Sequence, residues 1–187
     1  NPILNIPRCH EDVATDTIYG NVPAIDDGST AAQLFIGRTS HYRTLRPAGN
    51  SDASYYRTLM DEIRKLGVMN GLKSDNAKAQ VNERVKDLMR IYCIADKTSE
   101  PYKGNQNYAE LGWRDTKTKI QLVLDTKNAP SSCWLLAGQY ISVLQNHMAY
   151  ESLGWRTPFE WLFGYTPDIS ALLQFEFYEP VYYQKYM

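Results

Sequence analysis

The sequence predicts a single α/β domain, and three observations carry that prediction. Residues 13–49 fall into short runs of strand character broken by turn residues, as a strand meander does. After Ser51 the period becomes helical, and from Val68 onward a short apolar run is followed by a longer amphipathic stretch, the strand-then-helix pattern of α/β proteins. At 187 residues the chain is long enough for one sizeable core and too short to require two.

Each element has its own local reason. From Val13 to Tyr19, VATDTIY alternates β-branched and aromatic residues, and a strand there sets Asp16 on the opposite face from Thr15 and Thr17. The turn DDGST at 26–30 leads to AAQLFIG and HYRTLRP, two further strands that stop at Pro47 and Gly49. Ser51 or Asp52 caps a helix with Leu59, Ile63 and Leu66 on its apolar stripe, Arg57, Arg64 and Lys65 on its wet side and Gly67 at its end. VMNGLKSDN at 68–76 supplies a short strand ending at Asp75, followed by a helix whose stripe is Val81, Val85, Leu88 and Tyr92. IYCIAD has the character of another strand, and KTSEPYKGNQN that of a polar loop, the kind that often flanks a site. Long helices are expected from about Gln106 to Thr126 and from about Ser131 to Tyr150. TPFEWLFG is a short helix with Thr157 as N-cap, Pro158 at its first position, Glu160 at its third and Gly164 at its end. The closing LLQFEFYEPVYY has the alternation of extended chain. These boundaries divide the chain into a lead-in (1–11), a core (12–165) and a C-terminal extension (166–187).

Bulk numbers exclude several classes. The hydrophobic fraction of 43% and charged fraction of 22% are those of an ordinary globular protein. A net charge of −1 excludes a module that coats nucleic acid by bulk charge, so any DNA contact must come from local patches. No apolar run approaches the length of a membrane span and no signal peptide opens the chain, so neither a membrane nor secretion is expected; with Asn1 rather than Met first, a fragment of a longer frame is expected. Cys9, Cys93 and Cys133 are odd in number and widely spaced, which fits a reducing compartment. Cys93 and Cys133 stand in apolar contexts and are expected in the core, while Cys9 and His10 lack a second ligand pair at zinc spacing.

Asp16 in the first strand, Asp75 just past a later strand and Glu110 in the first turns of a helix stand where an α/β fold exposes side chains at one edge of its sheet. Two aspartates and a glutamate brought together would make an all-oxygen site for Mg²⁺ or Mn²⁺, because hard carboxylate oxygens bind such ions while leaving positions for water and phosphate. Two such ions can hold the attacking and leaving oxygens of an in-line phosphoryl transfer. The bland alternative is that these acids are solvated surface charges. In NQNYAELGWRDTK, Gln106, Glu110, Arg114 and Lys117 share one helix face, so a phosphate held near Glu110 would run along cations one and two turns further on. An ordinary i, i+4 pair between Glu110 and Arg114 explains the same spacing. Asp26 and Asp27 compete with Asp16, although DDG is commonly just a turn. His147 on an apolar helix fits a hydrogen-bonded core histidine, and His41 has no partner visible in sequence.

ATDTIYGNVPAIDDGST, GLKSDNAKAQ, SEPYKGNQNYAE, the later W-LL and LQNH, and TPFEWLFGYTPDIS occur in this order along nearly the whole chain. Together they resemble the integrase catalytic core of an LTR retrotransposon, a DDE polynucleotidyl transferase, and the closing segment resembles copia-type elements more than retroviruses. The resemblance implies an RNase H-like fold: a mixed sheet of about five strands flanked by helices. It implies Asp16, Asp75 and Glu110 as catalytic residues and ligands of two Mg²⁺ or Mn²⁺ ions. It puts Gln106, Asn107, Arg114 and Lys117 beside DNA, with Tyr102 and Tyr108 as further candidates to stack on bases. The reaction implied is 3′-end processing of element DNA and strand transfer into target DNA, in a nuclear homo-oligomer. The alternative is an inactive or domesticated remnant that binds DNA or serves assembly. Departures from the family are a spacing between Asp75 and Glu110 of 34 residues, one fewer than is common, Tyr108 in place of a proline, and Gly112 and Trp113 early in the helix, where Gly is a poor helix former.

Overall fold

The computed structural model describes residues 5–49, 51–74, 82–97 and 108–182. Among these, five strands form one mixed sheet in the order β3-β2-β1-β4-β5, with β1 at Asp12–Tyr19, β2 at Ala31–Gly37, β3 at Arg43–Ala48, β4 at Gly71–Lys73 and β5 at Ala95–Asp96. The first three pair antiparallel as a meander. The chain then crosses through helix α1 (Asp52–Leu66) and returns with β4 parallel to β1 and β5 parallel to β4. The α/β class and the mixed sheet expected from sequence are therefore what the chain forms.

The sheet is covered on both faces. Tyr55, Leu59 and Ile63 of α1 and Val85, Leu88 and Met89 of α2 (Glu83–Ile91) pack on one face, against Val13 of β1 and Phe35 of β2. Ile120 and Leu124 of α3 (Tyr108–Thr126) and Leu135, Ala137 and Ile141 of α4 (Trp134–Asn146) pack on the other, against Ile18, Leu34, Ile36 and Leu45. Alternation along β1 sends Val13 to the first layer and Ile18 to the second. β2 lies inside the sheet with both faces covered, which is why all of its residues are buried and its sequence does not alternate. Its one polar residue besides the glycine backbone, Gln33, bonds to the hydroxyls of Thr15 and Thr17 on the neighbouring strand.

Local signals hold where the cap chemistry is explicit. Ser51, not Asp52, caps α1 by accepting from the Ser54 amide, and Gly67 ends it at φ 100°, where an added Cβ would sit 2.5 Å from the Pro7 carbonyl oxygen. Asn82 caps α2, and α5 (Pro158–Phe163) carries the full Thr157–Glu160 capping box and ends at Gly164 in the left-handed region.

Several expectations need correction. The segment IYCIAD is a strand only at Ala95–Asp96, because Ile91 still belongs to α2 and Cys93 takes φ 53° in the turn between them. Cys93 is consequently exposed, whereas Cys133 is buried as expected. The helix expected from Ser131 to Tyr150 opens as a 3₁₀ turn and stops at Asn146. The alternating C-terminal segment forms no strand among the described residues: α6 spans Ser170–Gln174, and beyond it Phe177 packs beside Tyr140 while Lys127 pairs with Glu176. Alternation supplies two faces but no ladder partner, and a lone strand without one is unstable. No described helix is long and apolar enough to cross a membrane.

Candidate active site

Asp16 sits in the middle of β1, held in register opposite Leu34 of β2. It points to the same sheet face as Ile18, the face that α3 and α4 cover, and it remains partly exposed there. On its other edge β1 runs beside β4, whose last paired residue, Lys73, lies against Ala14. Asp75 follows Lys73 by two positions and lies outside the described residues.

Glu110 stands in the first turn of α3. The residues around it fix that turn to the sheet. Ala109 is fully buried, the Tyr108 hydroxyl donates to the Asp12 carbonyl at 3.3 Å, and Gly112 lets the helix approach so closely that an added Cβ would be 2.2 Å from Ile36 Cδ1. Ile36 pairs with Ala14, two positions before Asp16, so the turn that carries Glu110 packs on the same face and stretch of sheet from which Asp16 projects. Tyr108 is accordingly a packing residue rather than a free stacking platform, and burial together with the Asp12 carboxylate pushes its phenol well above the usual range. Gly112, a weak helix former by propensity, is explained by this close approach.

The acid itself is half exposed. Arg114 reaches to 3.9 Å of Glu110 Oε1, with their side chains 74% and 51% exposed, so the i, i+4 pair exists as a loose surface contact worth on the order of 0.2–0.5 kcal/mol. Lys117 does not join that pair. It lines a groove with the end of β1 and the residues just after it, from Ile18 to Val22, and with Trp113 and Gln121 of its own helix. Of the other residues expected beside DNA, Gln106 and Asn107, like Tyr102, lie outside the described residues.

Neighbouring acids are otherwise engaged. Asp12 is paired with Lys97 at 2.6 Å and with Arg38 at 3.5 Å. Asp27 accepts from the Ser29 amide and hydroxyl, the turn role expected of DDG. His147 bonds the Val143 carbonyl at 2.7 Å and stacks on Phe159; His41 lies 3.3 Å from the Ser152 hydroxyl. No cluster of three His, Cys, Asp or Glu side chains is assembled among the described residues.

Sequence reasoning passed over Tyr19 and Trp113, which both border the groove that Lys117 lines. The available signal was position: Tyr19 is three residues beyond Asp16 on its strand, and Trp113 three beyond Glu110 on its helix.

No family model matches the sequence, and sequence comparison matches no relative of characterised function. Solved structures do match. The catalytic core domain of BIV integrase aligns over 82% of this chain and 94% of its own, with a TM-score of 0.62 at 17% identity. A chain of the simian T-cell lymphotropic virus intasome, solved in complex with PP2A regulatory subunit B56 gamma, aligns over 97% of this chain with a TM-score of 0.65 at 14% identity; this chain spans 63% of that one. At such identities the likeness is one of fold. The chain has the RNase H-like fold shared with retroviral integrase catalytic cores.

Proposed function

We propose that this chain is the catalytic core of an LTR-retrotransposon integrase of copia type, processing the 3′ ends of element DNA and joining them to target DNA in the nucleus as a homo-oligomer. The observation that carries the reading is that Asp16 projects from the central strand toward the layer whose first helical turn bears Glu110. The ordered sequence motifs and the integrase-core fold support it.

The donor set fits a hard divalent cation. Asp16 and Glu110 offer carboxylate oxygens from a rigid strand and a packed helix turn, and Asp75, directly beyond β4, would complete the set for two Mg²⁺ or Mn²⁺ ions. Such ions, when bound, lower the pKa of a coordinated water or hydroxyl and neutralise charge building on the phosphate. The chain's own part is placement. The strand fixes the Asp16 carboxylate, the sheet-packed turn fixes Glu110, and Arg114 and Lys117 supply positive charge for phosphates of the bound strand, with Gln106 and Asn107 beside it. In processing, water attacks the phosphodiester; in transfer, the freed 3′-hydroxyl does so, and no covalent protein intermediate is required.

The test is a strand-transfer assay with Mg²⁺ and a duplex carrying a matched element end. Glu110→Gln should fold normally and yield no processed or joined product. Full activity of that variant would overturn the assignment. Binding without any product from the unaltered chain would identify an inactive copy, and cleavage without joining a nuclease of the same fold.

A further inference from the structure

Asp12 opens β1 and stands on the same sheet face as Asp16, four residues further along the strand. Lys97, the residue after β5, reaches across β4 and binds its carboxylate at 2.6 Å. The ion pair crosses over Gly71 of β4, where an added Cβ would lie 2.9 Å from both Asp12 Oδ1 and Lys97 Cε. Arg38, just past β2, brings its guanidinium to 3.5 Å from the same carboxylate, and its backbone N–H donates to the Asp12 carbonyl at 2.8 Å. The Tyr108 hydroxyl, from the first residue of α3, donates to that carbonyl as well.

These ties converge on the elements that carry the candidate ligands. Glu110 follows Tyr108 by two positions, and in sequence Asp75 follows Gly71 by four. The ladders at this point are short: three residue pairs join β1 to β4 and two join β4 to β5. A bond strapped across them resists splaying of the strands, and the Asp12 side chain is only 14% exposed, so solvent screens the pair less than it does a surface pair. The first turn of a helix also depends on outside contacts, because its leading N–H groups have no intrahelical acceptor. Metal ligation demands such support, since ligands have to be held to within about 0.5 Å of the productive geometry.

We propose that Asp12, strapped to Lys97 over Gly71, is a positioning residue for a divalent ion held by Asp16 and Glu110. It sets the spacing of β1, β4 and the start of α3, while its own carboxylate is engaged by Lys97 and Arg38. The proposal rests on the metal reading of those two acids.

The probe is Mn²⁺ alone, titrated into the chain and followed by loss of the free-ion paramagnetic resonance signal, with far-UV circular dichroism confirming that each variant folds. Asp12→Asn, Lys97→Met and Gly71→Ala should each weaken Mn²⁺ binding by about five- to ten-fold, at or below the roughly 10–100-fold typical when a direct partner of a metal ligand is removed. These variants separate position from charge. If Asp12 acted only as a distant negative charge, Lys97→Met would tighten Mn²⁺ binding, and Gly71→Ala, which alters no charge and presses only on flexible side-chain ends, would leave it unchanged. Either result overturns the proposal. Lys97 is half-exposed, so its variant decides the matter even where Asp12→Asn does not fold. Glu110→Gln serves as the reference. Unchanged binding in that variant removes the metal reading and the strap with it, whereas binding weakened by Glu110→Gln but untouched by the other three removes the strap alone.

Discussion

Asn146 caps the edge of the sheet at Arg43. Its Oδ1 accepts from the Arg43 backbone N–H at 2.9 Å and its Nδ2 donates to the Arg43 carbonyl at 2.7 Å, so one buried amide takes the place of a further strand. β3 is the edge strand, and alternate residues of it turn their backbone groups away from β2. Of that outward set Arg43 is capped by Asn146, and Pro47 has no N–H to donate. The edge is thereby made a poor template for adding strands.

Removing the cap should be costly. Asn146→Ala leaves a buried N–H and a buried C=O unpaired, at about 1–3 kcal/mol each, so urea unfolding should show a loss of roughly 2–6 kcal/mol. Asn146→Asp keeps the acceptor but turns a carboxylate oxygen toward the carbonyl, and should be at least as destabilising. An unchanged midpoint in either variant would refute the capping role.

A buried guanidinium makes the same region acid-sensitive. Arg43 donates to Gln145 Oε1 at 2.9 Å and lies 3.8 Å from Asp115, which also binds Lys119 at 2.7 Å. Partial burial pushes the Asp115 carboxyl up, but Lys119, Gln145 and Arg43 together outweigh it and hold it below the usual carboxylate range. A carboxyl depressed on folding contributes stability above its unfolded pKa, about 3.9, and loses it as pH falls through the lower folded value. Thermal unfolding of the unaltered chain and of Asp115→Asn should therefore differ at pH 6 and converge as the pH falls below the usual carboxylate range. A difference that persists or grows on acidification would contradict the charge-based account.

The approach of α3 to the sheet gives a coupled pair. Gly112→Ala gains about 1 kcal/mol of helix propensity, but its Cβ would meet Ile36 Cδ1 at 2.2 Å in a packed layer, and such overpacking costs about 1–3 kcal/mol. Alone it should be destabilising by about 1 kcal/mol. In an Ile36→Val background, which lacks that methyl, the same change should become neutral or stabilising. A double-mutant cycle with no coupling energy would show that the helix is not seated as described.

The two cations after Glu110 should behave differently. Because the Glu110–Arg114 contact is loose and exposed, Glu110→Gln should change unfolding free energy by less than about 0.5 kcal/mol, so its effect on catalysis can be read as chemistry. Lys117→Ala should lower the slope of log affinity for DNA against log salt by about 1, as loss of one phosphate contact does. Arg114→Ala, with its charge partly answered by Glu110, should lower it less; equal slopes for both variants would remove the distinction.

Much of this was legible in the chain. Strand alternation at Val13–Tyr19, the cap at Ser51, the stop at Gly67 and the Thr157–Glu160 box are local chemistry, decided within a few residues, and each forms where its pattern stands. Cys93 was misjudged because an apolar neighbourhood in sequence does not reveal a left-handed turn, and the start of LLQFEFYEPVYY because alternation does not reveal whether extended chain has a partner. Gly112 looked like a flaw in a helix until Ile36 lay beneath it.

By itself the sequence determined the α/β class, the helix caps and the helix whose first turn carries Glu110, since propensity and periodicity act along the chain. Only the tertiary structure decided that Asp16 faces the layer of Glu110, that Lys117 lines a groove beside the end of β1, and that Asn146 caps Arg43 across 103 positions. Those relationships depend on crossover direction and helix seating, which arise from burying two sheet faces at once and leave no mark at any single residue.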